Sequence, residues 1–558
     1  MKSKIRNARS SLVAMAICAF AATTACDLRF GSSGAYTRPR PVSEFPDPPA
    51  RVARIGYVSG LVSVLPAGEN TWAPGVLNRP LTIGDGVWAE PGARAELQLD
   101  KATMRLGSRT SVQFSDLDDR IIQLKLKHGT ISIRLRRLDL SDRIEIDTPK
   151  AAVTLSLPGE YRFDVRGSTG DTYVSVRAGE AEVTLPNGAL TIAAGKRTKF
   201  TGTSHIWATT SLAPGRDEFD QFCLTRDERQ ERGESTKYLP AGVIGYEDLD
   251  EHGSWLVNSE LGPYWTPRSV RDGWAPYRFG HWEWIEPWGW TWIDDAPWGF
   301  ATSHYGRWTF LEDRWRWIPG ARRPEPVYAP ALAVFAGGGR PDFRYFYWIG
   351  AAGVSWFPLG PGETYLPAYR CSESYLGNVN AGSTVIQNLA AFSETEFARQ
   401  NFVNRTVPGA VTAVSREVFI SAQLVARAAV SVSARDAAAL QITGPASPMA
   451  PIRESLIARN EANALVPQPP PTVLEREVIV RRMHEPVLIS FVVRKPLLDA
   501  RPGYPLDPSI LGELRAAESH KPGAVVPPTK LDPRTMKIQT EAQAAPPKPV
   551  PGKRSSEM

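Results

Sequence analysis

Cysteine is scarce: four occur in 558 residues. Cys18 and Cys26 lie in or at the end of an N-terminal apolar segment. Cys223 and Cys371 alone belong to the body of the chain, either disulfide-bonded to each other in an oxidising compartment or as two unpaired thiols. No CxxC pair and no Cys/His cluster with zinc spacing is present, so no metal site is expected. Histidine is also rare, with seven residues, and no HExxH, nucleophile elbow or Walker loop occurs. Gly337-Gly338-Gly339 follows no strand–helix context and does not read as a phosphate loop. Charge of either sign is nearly balanced, at +6 overall, which does not argue for nucleic acid. No catalytic residue and no cofactor is expected.

Long apolar runs are missing too. The nearest is 11–22, preceded by the basic residues Lys2, Lys4, Arg6 and Arg9. It is too short to span a bilayer and reads as an export signal over 1–25. Thr23-Thr24-Ala25-Cys26 resembles a lipoprotein cleavage box, with Cys26 as the acylated residue, although Thr23 stands where Leu is usual. Ordinary cleavage after Ala25 is the alternative. The expectation is an exported, periplasmic protein held at the membrane by a lipid. With the export signal leading the chain, no cytoplasmic segment is expected before it.

Tryptophan, by contrast, is abundant and localised. Of 17 Trp residues, all but Trp72, Trp88 and Trp207 lie between Trp255 and Trp356. The stretch repeats. Gly273-Trp274-Ala275 returns as Gly299-Phe300-Ala301, and Gly280-His281-Trp282 as Gly306-Arg307-Trp308. Both spacings are 26 residues (299 − 273 and 306 − 280). A fixed period marks a repeated supersecondary unit. Within each unit aromatics alternate, Trp282-x-Trp284 facing Trp290-x-Trp292, and Trp308-x-Phe310 facing Trp315-x-Trp317. Alternation places them on one strand face, and the short Pro-, Gly- or Asp-bearing spacers predict two β-hairpins. That aromatic face is either a core or a stacking platform for a glycan or a protein partner. In the second case Trp282, Trp284, Trp290, Trp292, Trp308, Trp315 and Trp317 would carry the ligand.

Six domains or segments follow the signal. Residues 26–51 read as a flexible tether. Residues 52–202 are a succession of short strands broken by Gly, Pro and Asp, which predicts an antiparallel β-sandwich or stack. Residues 203–237 form a linker with a helix at 214–232, where Phe219, Phe222 and Cys223 share a face. The Trp-rich hairpin domain covers 238–376. A mixed extension covers 377–501, with a short helix at 388–399, an ambiguous Val/Ala-rich stretch at 410–440 and one or two strands at 473–493. A Pro-rich disordered tail covers 502–558.

Two resemblances accompany these readings. Gly56-Tyr57-Val58-Ser59-Gly60, the run Leu81 through Ala89, Gly92 through Leu97, Leu124 through Thr130 and Ile146 through Val153 are similar to the FecR domain. The resemblance spans roughly 52–202. It implies a periplasmic β-rich module of the kind that relays a signal from an outer-membrane receptor to a sigma factor. Without a cytoplasmic segment such a direct relay is not expected here. The Trp/Pro phrases Trp288 through Trp292, Pro297-Trp298-Gly299, Trp315 through Gly320, Trp356 through Glu363 and Asn401 through Ala410 resemble a Trp/Pro-rich domain of unknown function that follows FecR domains in exported bacterial proteins. It brings no activity with it.

The remaining polar residues read as ordinary surface. Glu283, Glu286, Asp294, Asp295, Glu312 and Asp313 flank the aromatic strands and read as solvated turn residues; only a cleft with two carboxylates at glycosidase spacing would make them an enzyme. His281 and Arg307 hold equivalent repeat positions, read as outward-facing, and His304 as a turn cap. Lys125, Lys127, Arg134, Arg136 and Arg137 read as one solvated sheet face or a contact for anionic headgroups or polysaccharide. The sequence therefore leads to a non-enzymatic envelope binding or scaffold protein. The alternative is a FecR-type regulatory module acting through another membrane protein.

Overall fold

The computed structural model describes residues 46–186, 188–320, 325–337, 353–381, 392–457, 466–481 and 487–519. It is mainly β, with two hydrophobic cores. One lies inside residues 53–206 and the other spans the Trp-rich region and the segments that follow it.

The first core is enclosed by two largely antiparallel sheets. The long strand Ile121–Leu135 passes from one to the other. Its first half pairs with Thr110–Leu117 and, in parallel, with Arg143–Asp147; its second half pairs with Ala102–Leu106 and Gly159–Arg166. The crossing falls at Gly129, whose φ of +95° leaves room for no side chain. A Cβ there would lie 2.4 Å from the Thr110 hydroxyl, so glycine is required. The sheet that holds the second half, the first sheet, continues from Gly159–Arg166 through Asp171–Ala178 and Lys196–Thr201 to an edge at Trp207–Leu212. At its other end Ala53–Ser59 pairs with Arg94–Gln98 and with Pro80–Leu81. Strand alternation puts Val, Ile and Leu inward on both sheets, giving the expected sandwich.

Helix Glu218–Glu231 is capped by Asp217, which accepts from the Asp220 amide in a capping box. It lies across the outer face of the first sheet and docks through ions rather than through an apolar stripe. Its buried residues are Asp220, Cys223, Asp227 and Gln230. Glu96 on the sheet binds Arg105 at 2.6 Å and Arg226 of the helix at 2.6 Å. Arg105 reaches Asp227 at 2.9 Å, and Arg177 reaches Asp220 at 2.7 Å. The Glu96 carboxylate loses water on burial, but hydrogen bonds and charge from Arg226 and Arg105 outweigh that loss and hold its pKa at about 2.

The Trp-rich region contains the two expected hairpins. Trp282 pairs with Trp292 and Trp284 with Trp290; Trp308 pairs with Trp317 and Phe310 with Trp315. A third copy precedes them. Gly253–Asn258 pairs with Gly262–Pro267, setting Trp255 opposite Trp265. All three copies begin Gly-x-Trp, at Gly253, Gly280 and Gly306. In each, a Cβ on that glycine would strike the indole of the returning strand, at 2.1 Å for Trp265, 2.7 Å for Trp292 and 2.8 Å for Trp317. The glycine is the seat of the ring. The first and third hairpins join into one four-stranded sheet, and the middle one stands alone.

The boundary expected at 376 does not divide the structure. Ala333–Gly337 and Val354–Pro358 share a sheet with Thr412–Val414, Val430–Ser431 and Gln441–Gly444, and both sides fill one core. Helix Glu394–Arg399 occupies the described part of the helix expected at 388–399. Residues 473–493 form no strand among the described residues. A helical turn, Pro471–Leu474, leads into an extended strap along the sandwich, where the Ile479 amide donates to Thr148 O and Arg476 binds the carbonyls of Lys127 and Gly167. Helix Phe491–Ala500 follows. The tail expected from 502 begins with another helix, Pro508–Ser519. At the opposite end, residues 46–51 of the expected tether are anchored, with Ala50 N donating to Asp119 and Ser372 N to Asp47. No helix among the described residues is long and apolar enough to cross a membrane.

Candidate functional site

The most elaborate polar constellation lies where the sandwich meets the Trp-rich domain. Arg54, the second residue of the strand Ala53–Ser59, has no exposed surface. It donates to Asn78 Oδ1 at 2.7 and 3.0 Å, to Gln98 Oε1 at 2.8 Å, to Asp248 Oδ2 at 2.6 Å and to Pro297 O at 2.7 Å. Asn78 adopts φ +67°, which aims its amide across the seam at the carbonyls of Asp294 and Ala296, 2.8 and 2.7 Å away. Arg79 bonds Glu283 at 2.9 Å, and Glu283 holds His281 Nε2 at 3.1 Å. Burial opposes the Arg79 charge, but Glu283 and Asp85 more than restore it, so its pKa lies above the ordinary value.

Beside this seam is a cavity of about 550 Å³. Its wall includes Pro66 and Ile83 of the sandwich, Trp284 and Pro287 of the middle hairpin, and Leu456 and Leu511 of the later segments. The ion pair of Glu286 with Arg494, at 2.8 Å, also lines it.

The seven rings expected to carry a ligand are all buried, from Trp292 and Trp317 at 0% exposure to Trp315 at 7%. Trp282 is wedged among Trp292, Phe335, Trp356 and Phe419 at centroid distances of 5.1 to 5.5 Å. Rings covered in this way offer no face to a glycan, and the alternating face is core. Aromatic edge-to-face packing takes the place of a Val/Leu interior.

Other expectations are corrected by the same packing. Cys223 and Cys371 are not joined. Cys223 lies on the buried face of helix Glu218–Glu231, where desolvation pushes its thiol up to about 11, while Cys371 packs at the border of the aromatic core. His281 and Arg307 point inward, not outward. Arg307 donates to Glu363 O and Asn380 Oδ1, and burial lowers it to about 10. His304 lies inside helix Gly299–His304 with Nδ1 2.7 Å from Ala329 O, and burial holds it neutral at about 3. Glu283 and Asp294 are buried too. Asp294 accepts from Trp292 Nε1 at 2.9 Å and from the Ala296 amide at 2.9 Å, and desolvation raises it to about 7. Glu286 accepts from Trp284 Nε1. These three carboxylates serve as structural acceptors, whereas Asp295, Glu312 and Asp313 are exposed, as expected of turn residues. The expected basic face is dispersed: Arg134 and Arg136 lie under the helix, Lys127 donates to Leu474 O, and Arg137 pairs with Glu325. Among the described residues no group of acidic, Cys and His side chains could hold a metal. Cys26 lies outside the described residues.

The docking residues Arg54, Asn78, Arg79 and Glu96 were not legible as a site. For Arg54 and Glu96 the one signal was a charged residue alternating with the core-facing neighbours Ala53 and Ile55 or Ala95 and Leu97; Asn78 and Arg79 precede the strand Pro80–Leu81 and carried none.

Comparison with known proteins agrees with this architecture. The model of the family "FecR protein" matches residues 85–182, and that of a family of unknown function, DUF6600, matches residues 246–363. The chain is thus a FecR-domain protein with a DUF6600 domain downstream. No curated protein matches. Among solved structures, two of a "putative anti-sigma factor" from Parabacteroides distasonis ATCC 8503 align at 17% and 18% identity, each with a TM-score of 0.21. Each alignment covers 23% of this chain and spans 59% of the other.

Proposed function

We propose that this protein is an exported, lipid-anchored, non-enzymatic regulatory module of the FecR type, acting through contact with another membrane protein. The observation that carries the reading is the FecR domain itself, docked onto its neighbour through the buried Arg54 and Arg79 network. A buried ion network resists rearrangement, because removing one partner strands the other. It suits a domain whose output is a fixed surface. The burial of the seven tryptophans weighs against the glycan-platform reading. Export and acylation at Cys26 rest on the N-terminal sequence.

The test has two arms. Cells carrying the wild-type chain or Cys26→Ala are labelled with palmitate, and label is expected on the first alone. Transcripts are then compared between cells lacking the gene and cells complemented with it. A defined set of genes is expected to change and be restored. Unchanged transcripts, with envelope glycan cleaved by the purified protein, would overturn the reading.

A further inference from the structure

We infer that the strand Trp207–Leu212 is a docking edge that accepts an extended, carboxylate-bearing segment of a partner polypeptide as an added β-strand. This deepens the regulatory reading above by naming where and how the partner binds.

The strand closes the first sheet. It pairs with Lys196–Thr201, and no other described segment bonds its far side. All six residues, Trp-Ala-Thr-Thr-Ser-Leu, are exposed. Trp207 has 64% and Leu212 74% of its surface in solvent. Sheet edges of this kind present unpaired N–H and C=O groups, and proteins ordinarily blunt them with Lys, Pro, a bulge or a covering segment. None of these is present in Trp207–Leu212, and the register to its neighbour is regular throughout. An unprotected, uncharged edge is a template for strand addition.

Its position suits a partner. The Arg54 seam with the Trp-rich domain lies beside the opposite end of the same sheet, so the edge points away from the rest of the molecule. The linker helix covers the outer face between them, over Arg105 and Arg177.

The charge of the neighbouring strands selects the partner's chemistry. Directly paired residues share a face, so Trp207, Thr209 and Ser211 stand beside Thr201, Lys199 and Arg197. Arg166, Arg197 and Lys199 surround the Tyr173 ring at 5.5, 4.6 and 5.5 Å. Cations exceed their counter-ions here. Arg166, Arg197 and Lys199 have two carboxylates between them, Asp164 for the two arginines and Asp171 at 3.9 Å from Lys199, and Asp164 is also bound by Arg162, which has Asp217 and Asp220 besides. A strand added at the edge would run about 10 Å from Lys199 and Arg197, two strand spacings away. That is comparable to the screening length at physiological salt, roughly 8 Å. Glu or Asp at alternate positions of the partner would therefore be attracted, more so at low salt. A second copy would bring the same cationic face alongside, which disfavours self-pairing.

The probe is an end-blocked octapeptide alternating Glu and Val, fluorescently labelled and titrated against the full mature chain. Controls replace every Glu by Lys, or a central Val by Pro. The Glu peptide is expected to bind at least tenfold more tightly than the Lys peptide, to weaken as salt rises, and to lose affinity with the Pro. Thr209→Asp is expected to weaken it tenfold or more. Circular dichroism checks that this solvent-facing substitution leaves the fold intact. Equal affinity for both peptides, no binding of either, or indifference to Thr209→Asp would overturn the inference. So would a dimer in sedimentation that Thr209→Asp dissociates, since the occupant would then be a second copy. The transcript experiment reads the regulatory role independently, so each can fail alone.

Discussion

Single residues in this protein carry unusual electrostatic work, and Asp294 shows it best. Its carboxyl closes the middle hairpin by accepting from Trp292 and Ala296, yet it is removed from water and titrates at about 7. An unfolded Asp titrates near ~3.9. Between those values the folded chain keeps a proton that the unfolded chain has released, so stability falls as pH rises from about 4 to 7 and levels off above. Glu363, raised by burial to about 7, acts in the same direction. Glu96, held at about 2, contributes stability above its unfolded value and loses it only below about pH 4.5. The two effects therefore occupy separate windows. Wild-type melting temperature is expected to drop between pH 5 and 7.5. Asp294→Asn should remove on the order of 2–4 kcal/mol of that slope, at a fixed cost of about 1 kcal/mol for the acceptor it loses. A melting profile with an unchanged slope would show that Asp294 stays ionised.

Elements here are placed by partners as much as by propensity. The linker helix carries two Phe residues on one face, and this made it legible as a helix. Phe222 meets Tyr57 at 5.5 Å, but the helix is held chiefly by Glu96, Arg105, Asp220 and Asp227. Arg226→Ala should cost about 3 kcal/mol, since it leaves part of the Glu96 charge uncompensated beneath the helix. Arg232→Ala, in an exposed pair with Glu228, should cost under about 0.5 kcal/mol. Urea denaturation would separate the two, and equal effects would refute the ionic account of docking. The strap at 473–493 shows the opposite limit. Its Val- and Ile-rich runs read as strands, yet Ser490 starts a helix and the described residues before it form no strand. Strand preference is realised only where a neighbour is available. The first hairpin escaped notice for a related reason. It keeps Gly253-Ser254-Trp255 but lacks the second alternating ring, with Val257 where the later copies carry Trp284 and Phe310.

At the scale of the molecule, two cores are locked by one polar seam. Arg54→Met should uncouple them, because Asp248, Asn78 and Gln98 lose their shared donor together. Scanning calorimetry is expected to resolve two transitions in this variant, with the Trp-rich domain reporting its own by fluorescence. A single transition in both proteins would place the coupling elsewhere, in the C-terminal strap. The sequence by itself determined the β class, the two domains, the hairpins and the linker helix, since alternation, period and capping are local properties of neighbouring residues. Only the tertiary structure decided that the tryptophans are core, that Cys223 and Cys371 stay apart, that residues 392–457 complete the Trp-rich domain, and that Trp207–Leu212 is an open edge. Exposure and pairing depend on residues distant in the chain, and no local pattern records which face another segment will cover.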